Sequence, residues 1–239
     1  MRNRGGRIPT FPSRRGLSGE TTDIHVARGI ADGDNPPVAS AHESATLIAA
    51  EVSSRVLDGL ALIGVDGAGG SGKSTLAREL AELLAADGTP VSVVHGDDFY
   101  RESDPAVRLA LSPAEGYERY FDWERLRDEV LVPLASGRDA EYRRYDWTTG
   151  QIAPTERHLV TAAGYVVVEG MFTVRPELSG FYDLTVYVDT PLEVCMERLL
   201  ARGHDHGPGN WNARWQESDK YYQSATDPSR RLDMTVKGL

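Results

Sequence analysis

The hydrophobic pattern changes its period along the chain. Four short apolar runs, "LALIGVD" (60–66), "PVSVVHGDDFY" (90–100), "GYVVVEG" (164–170) and "LTVYVDT" (184–190), are nearly continuous. Runs of this kind fit strands buried on both faces. Between them the apolar residues recur every three or four positions, as on an amphipathic helix. The spacing predicts a helix over 43–59, with Leu47, Ile48, Val52, Val56 and Leu57 inward and Gly59 closing it. Further helices are expected over 74–87, over 123–137 with Leu126, Val130, Leu131 and Leu134 on one face, and over 213–225. One more, over 191–203, places Pro191 at its first helical position, with Asp189 as a candidate cap. Residues 138–163 are polar and irregular with a short strand at 140–144, and "LDMTVKG" (232–238) is a last strand. Strands alternating with helices predict an α/β fold of three layers, α/β/α, around a mainly parallel sheet. Such sheets bind ligands beyond the carboxyl ends of their strands. A glycine loop, Asp97, Asp98, Glu169 and Asp189 all fall there.

Composition adds boundaries. Residues 1–42 are rich in Gly, Pro, Ser, Thr and Arg without apolar periodicity, and are expected to be a disordered tail before one domain at 43–239. The chain carries a net charge of −10, of which the first 40 residues contribute +2 and the remainder −12. A domain this acidic does not hold a nucleic-acid backbone by general electrostatics. No apolar run is long enough to cross a membrane, and the N-terminus lacks the apolar core of a secretory signal. The lone Cys195 excludes an internal disulfide framework and fits a reducing compartment. A cytoplasmic protein is the expectation.

Candidate chemistry begins at "GVDGAGGSGKST" (64–75). Gly67, Gly72, Lys73 and Ser74 satisfy G-x-x-x-x-G-K-[ST], preceded by a buried strand and followed by a helix. Across Gly67, Ala68, Gly69, Gly70, Ser71, Gly72, Lys73, Ser74 and Thr75, small residues let successive N–H groups turn inward and cradle phosphate oxygens. Lys73 would reach the β- and γ-phosphates and the Ser74 hydroxyl would ligate Mg²⁺, so a nucleoside triphosphate such as ATP is the expected cofactor. The loop by itself serves GTPases, transporter ATPases and small-molecule kinases. Neither an N-K-x-D motif, expected of a GTPase, nor an LSGGQ-like signature, expected of a transporter ATPase, occurs.

Three later segments narrow this further: "HGDDFYRE" (95–102), "VVVEG" (166–170) and "VDTPLEVCMERLLARG" (188–203). With the glycine loop, in this order, they resemble the uridine kinase and phosphoribulokinase group of P-loop kinases, nicotinamide riboside kinases included. The resemblance covers about Leu60 to Leu239. It implies a P-loop fold with a helical lid near 203–212 and a general base at Asp97, the first acid of the D-x-F-Y segment. It also implies Mg²⁺ ligation by Glu169 and phosphate clamping by Arg198 and Arg202. Acceptor contacts are implied for the segments after Asp97: Asp98, Tyr100, the pair Phe121–Asp122, and Tyr145–Asp146. The histidine that follows the Y-D pair in uridine kinases is missing here, where "WTTGQ" stands. Trp123 and Trp147 read as packing aromatics.

The implied function is ATP- and Mg²⁺-dependent phosphorylation of a small-molecule hydroxyl, with a nucleoside 5′-hydroxyl foremost. Nicotinamide riboside, a sugar, or a regulator that binds nucleotide without transfer stand as alternatives. Deleting residues 1–40 is expected to leave melting temperature and turnover nearly unchanged. A drop of several degrees in a thermal melt would instead show that the segment docks on the domain.

Overall fold

The apolar runs lie side by side in a computed structural model of the protein, which describes residues 40–56, 59–203 and 210–238. What is expected of residues 1–39, of Leu57 and of the lid between 204 and 209 lies outside the described residues. The chain opens with α1 (Ala41–Arg55), β1 (Ala61–Gly67), α2 (Lys73–Leu84) and β2 (Val91–His95). The segment after β2 carries α3 (Pro105–Leu109), α4 (Pro113–Arg119), α5 (Trp123–Leu126) and α6 (Val132–Ala135). Two small hairpins follow, from β3 (Ala140–Tyr142), β4 (Tyr145–Asp146), β5 (Gln151–Ile152) and β6 (His158–Val160). The chain returns to the sheet with β7 (Tyr165–Gly170) and β8 (Leu184–Asp189), then α7 (Leu192–Ala201), α8 (Trp211–Thr226), α9 (Pro228–Arg231) and β9 (Met234–Lys237).

The main sheet has the order β2-β7-β1-β8-β9, and every neighbouring pair is parallel. β1 therefore sits in the middle, with Ala61–Asp66 paired to Tyr165–Gly170 and Ile63–Gly67 paired to Leu184–Val188. This register brings the ends of β1 and β7 level, so the glycine loop and Glu169 emerge together. Side chains alternate between the faces. Ile63, Val65, Val167 and Val186 pack under α1 and α2 through Ile48, Val52, Leu76 and Leu80. On the other face Leu62, Val166, Val168 and Tyr187 meet Tyr117, Phe172 and Tyr222, with Leu126, Val130, Leu131 and Leu134 behind. Burying each such branched or aromatic side chain stabilises the fold by about 1.5–3 kcal/mol.

Several boundaries differ from the sequence reading for local reasons. Ser40 caps α1 through a capping box with Glu43, so the helix begins at Ala41 and the domain reaches into the segment read as tail. A truncation that removes Ser40 costs about 1 kcal/mol from the lost cap alone, which a deletion of residues 1–39 avoids. Leu47, expected inward, is half exposed, and Ser44 and Ala45 take the inward positions instead. The expected helix at 123–137 is α5 and α6 joined by a π turn over Arg127–Leu131. Pro133 has no N–H to complete the α ladder there, which widens the turn before it. Pro191 is the N-cap of α7 rather than its first helical residue. Asp189 does not cap that helix; its carboxylate pairs with Lys237 of β9.

One buried acid connects the layers. Asp66, fully buried at the end of β1, accepts from the N–H groups of Gly67 (2.7 Å), Phe172 (3.0 Å) and Val174 (2.9 Å), and from the Tyr222 hydroxyl (2.9 Å). Burial pushes its pKa above the ordinary aspartate value, against the pull of those four donors. Asp66→Ala orphans all four, and each unpaired buried donor costs about 1–3 kcal/mol. The expected loss is about 4 kcal/mol or more in urea denaturation, whereas Tyr222→Phe removes one bond and costs about 1 kcal/mol.

Candidate active site

The glycine loop turns from β1 into α2 with its backbone pressed against α7. A Cβ on Gly70 would lie 2.4 Å from the Cys195 carbonyl oxygen, and its φ of +84° also excludes other residues at low cost. Gly72, at φ +100°, stands at the N-cap of α2 and offers no capping side chain. The first amides of α2 are thereby left for an incoming anion, at the positive end of the helix dipole. Lys73 is buried, and its Nζ donates to the Ala68 carbonyl at 3.2 Å across the loop. Arg198 braces the loop from α7, with Nη1 donating to the Gly70 carbonyl at 3.2 Å.

Beside the loop, Glu169 accepts from the Ser74 hydroxyl at 3.1 Å and lies 2.7 Å from His95 Nδ1. Its burial works to raise its pKa, but the His95 hydrogen bond, the Lys73 charge and the Ser74 hydroxyl hold it below the ordinary glutamate value. The same hydrogen bond raises the pKa of His95. Hydroxyl and carboxylate together are hard oxygen donors of the kind Mg²⁺ takes alongside phosphate and water. No cluster of three or more His, Cys, Asp or Glu suited to a metal exists among the described residues, so any cation there would depend on the nucleotide for its remaining ligands.

The two acids after β2 part company. Asp98 is turned inward, where Oδ2 accepts from the Tyr142 hydroxyl at 2.9 Å and faces Arg144 Nε at 3.3 Å. Asp97 points into the open cleft. The surrounding protein walls push its pKa above the ordinary aspartate value, with Glu169 and Asp98 adding to the rise and Lys73 and His95 opposing it. The Trp147 indole N–H donates to the Asp97 carbonyl at 3.2 Å and fixes the turn.

These groups line one cavity of about 560 Å³. One end is the glycine loop with Met171, Cys195, Leu199 and Arg202; the other holds Asp97, Asp98, Tyr100, Arg144 and Trp147. Helix α8 covers both through Asn212, Trp215, Gln216 and Asp219. Tyr100, Trp147 and Trp215 form an aromatic wall, with ring centroids 4.6 to 6.1 Å apart. Burial lifts Asp219 to a pKa of about 7, with the Asp66 charge adding to the rise.

The structure brings Lys73, Ser74, Asp97, Asp98, Tyr100, Glu169 and Arg202 to this cavity, with Ala68, Gly69 and Gly70. It does not bring the others. Phe121 is core, bridged to Tyr100, and Asp122 caps α5 and pairs with Arg101. Tyr145 faces a smaller neighbouring cavity, and Asp146 holds the turn that follows it. Trp123 and Trp147 both pack against the core as expected, Trp123 also against two arginines, and Trp147 in addition lines both cavities. The sequence reading missed His95, Arg144 and the α8 residues. Only the spacing of Asn212, Trp215, Gln216 and Asp219 on one face of a helix signalled them.

Comparison with known proteins agrees with this geometry. The model of the Phosphoribulokinase / Uridine kinase family matches residues 62–207. A uridine kinase of Deinococcus deserti is 34% identical over 143 residues, 59% of this chain and 67% of that one. A pantothenate kinase of Streptococcus pneumoniae is 29% identical over 140 residues, 55% of this chain, and the match spans only 45% of that enzyme. Among solved structures, that of a possible uridine kinase from Bacillus stearothermophilus superposes with a TM-score of 0.62 at 23% identity, covering 80% of this chain and 96% of that one. That last likeness is one of fold. Among the described residues no helix is long and apolar enough to cross a membrane.

Proposed function

Since this chain belongs to the phosphoribulokinase/uridine kinase family and is a P-loop kinase, we propose that it transfers the γ-phosphoryl group of ATP to a hydroxyl of a small molecule, with a nucleoside 5′-hydroxyl as the first acceptor to test. The observation that carries this reading is the division of labour between the two loop acids. Asp98 is occupied by Tyr142 and Arg144, while Asp97 stands open to the cavity in the field of Lys73. The aromatic wall suits a planar base, and uridine kinases stand among the relatives. A pantothenate kinase stands there too, so a different alcohol is the second reading.

Phosphoryl transfer rests on alignment and charge neutralisation, with one group to receive the hydroxyl proton. Here the loop amides and Lys73 hold the β- and γ-phosphates, and Arg202 faces them from the end of α7. Ser74 and Glu169 would hold Mg²⁺, whose chemistry is to neutralise charge developing on the phosphate oxygens. Asp97 accepts the proton from the acceptor hydroxyl as the oxygen–phosphorus bond forms. Its raised pKa makes its carboxylate a stronger base than that of a free aspartate. Asp98 fixes Arg144 against the same wall. Tyr100 and Trp147 orient the acceptor.

Lys73→Ala is expected to lower kcat by at least about 10²-fold with an unchanged melt, because the lysine neutralises charge and packs little. Unchanged ADP release in that variant would remove the P-loop from the reaction. Asp97→Asn should lower kcat about 10²–10⁴-fold while nucleotide affinity stays near normal. Asp98→Asn should be milder and act mainly on acceptor KM. The reverse pattern would move the base by one residue. In the wild type, Asp97 must be ionised to accept a proton, so kcat should fall as pH is lowered through a pKa above the free aspartate value of about 3.9. A profile flat down to that value would contradict Asp97 as the base.

A further inference from the structure

Next to the main cavity, across Trp147, lies a second one of about 200 Å³, lined by Arg108, Tyr145, Thr148, Thr149, Gly150 and Trp211 as well as Trp147 itself. Its floor is unusual for the charge it carries. Arg108, half buried on α3, sits among four rings: 4.4 Å from Trp211, 5.7 Å from Tyr100, 5.8 Å from Trp147 and 5.9 Å from Tyr120. Its one hydrogen bond to another side chain runs from Nη1 to the Tyr145 hydroxyl at 3.2 Å. Among the described residues no carboxylate lies within ion-pair distance of it. Several other arginines have carboxylates, Arg101 with Asp122 and Glu124, Arg125 with Glu129, Arg144 with Asp98 and the fully buried Arg175 with Glu118 and Glu177, while Arg198 and Arg231 donate to backbone carbonyls. The nearest acid in the turn, Asp146, is committed to the Thr148 N–H and the Thr149 hydroxyl. A guanidinium has five N–H donors, and among the described residues the Tyr145 hydroxyl is the one side chain that takes any of those on Arg108.

We propose that this second cavity is an anion subsite of the acceptor, in which Arg108 receives a carboxylate or phosphate carried at the far end of the molecule whose hydroxyl meets Asp97. The inference rests on the kinase reading and narrows it to an alcohol bearing an anionic group. Two observations carry it independently of the pocket's shape. Trp147 lines both cavities and bonds to the Asp97 carbonyl, so one ligand lying along its ring reaches from the base to Arg108. The cation is also fixed within the subsite, its guanidinium 4.4 Å from the Trp211 ring and bonded to the Tyr145 hydroxyl, both of which line the same cavity. A guanidinium caged by rings keeps its planar fork directed and partly dehydrated, which suits bidentate capture of a carboxylate or phosphate.

Matched pairs test it. Uridine against orotidine and pantothenyl alcohol against pantothenate add a carboxylate; ribose against ribose 5-phosphate adds a phosphate. Each is titrated calorimetrically into the full-length protein without nucleotide, and separately assayed for ATP-dependent ADP release. In at least one pair the anionic member should bind 10-fold tighter or better, and the pair that responds tells carboxylate from phosphate. Arg108→Gln should abolish that preference while leaving the neutral partner's affinity unchanged, and Arg108→Lys should restore part of it. Equal affinity within every pair overturns the subsite, as does an Arg108→Gln variant that weakens both members alike, since that marks a packing role. The affinity contrast without ADP release from any compound would defeat the kinase reading and leave the anion subsite standing.

Discussion

Much of this molecule hangs on where the Asp66 carboxylate finds its hydrogen bonds. A carboxyl group buried at the end of the central strand is costly unless it is fully paired, and its four donors belong to three separate parts of the chain. Gly67 begins the phosphate loop, Phe172 and Val174 follow the strand that ends in Glu169, and Tyr222 lies on the helix that roofs the cavity. Arg231 extends the knot, donating to the Val174 carbonyl at 2.6 Å and to the Tyr222 hydroxyl at 3.3 Å. Satisfying one buried acid therefore sets the loop, the Glu169 strand and α8 in a fixed relation. Parallel pairing alone would align the strand ends but would leave α8 free to shift.

That fixed relation matters because the cavity gathers charges that would otherwise disperse. Asp97, Asp98, Glu169 and Asp219 line it together with Lys73, His95, Arg144 and Arg202. Their mutual effects differ in sign. Glu169 is held below its ordinary pKa because His95, Lys73 and Ser74 outweigh its burial, whereas Asp97 and Asp219 are raised because burial outweighs their share of the same lysine. Environments that push neighbouring carboxylates apart in this way separate a group suited to hold a cation from one suited to take a proton. The separation depends on distances of a few ångströms, which the Asp66 knot maintains.

The sheet and the phosphate loop were legible in the sequence because each is encoded locally. A buried parallel strand is a continuous apolar run, and a phosphate cradle is made of backbone, so its signature is a set of glycines at fixed spacing. The Asp97 turn and Glu169 were visible as acids at strand ends. Other features had no local signal. Asp122 reads the same whether it caps α5 or faces a ligand, and only the structure shows it capping. The pairing of Asp98 with Tyr142 joins residues 44 positions apart, and no spacing rule announces it. The segment after the Asp97 turn folds into α3 and α4 because Asp104 and Ser112 cap them ahead of prolines, a signal present in "SDPAV" and "LSPAE" but weak beside the strands.

The same asymmetry explains why the two ends of the cavity differ in how far they identify their ligands. At the nucleotide end recognition is by amides and one lysine, groups that any chain with this spacing supplies, so the end is generic and its partner is a phosphate. At the other end recognition is by side chains drawn from β2's loop, α3, the β4–β5 hairpin and α8. The first three are short, carry little of the main sheet's core and can change without disturbing Asp66 or the register of β1, whereas α8 is tied to Asp66 through Tyr222 and varies only on the face it turns to the cavity. Acceptor choice can therefore drift within one fold while transfer chemistry stays put, as expected when uridine kinases and pantothenate kinases are both recognisable relatives of one chain. On the proposed reading the acceptor is therefore to be sought from the side chains at this end, Arg108, Arg144, Trp147 and Trp215, and not from the phosphate loop.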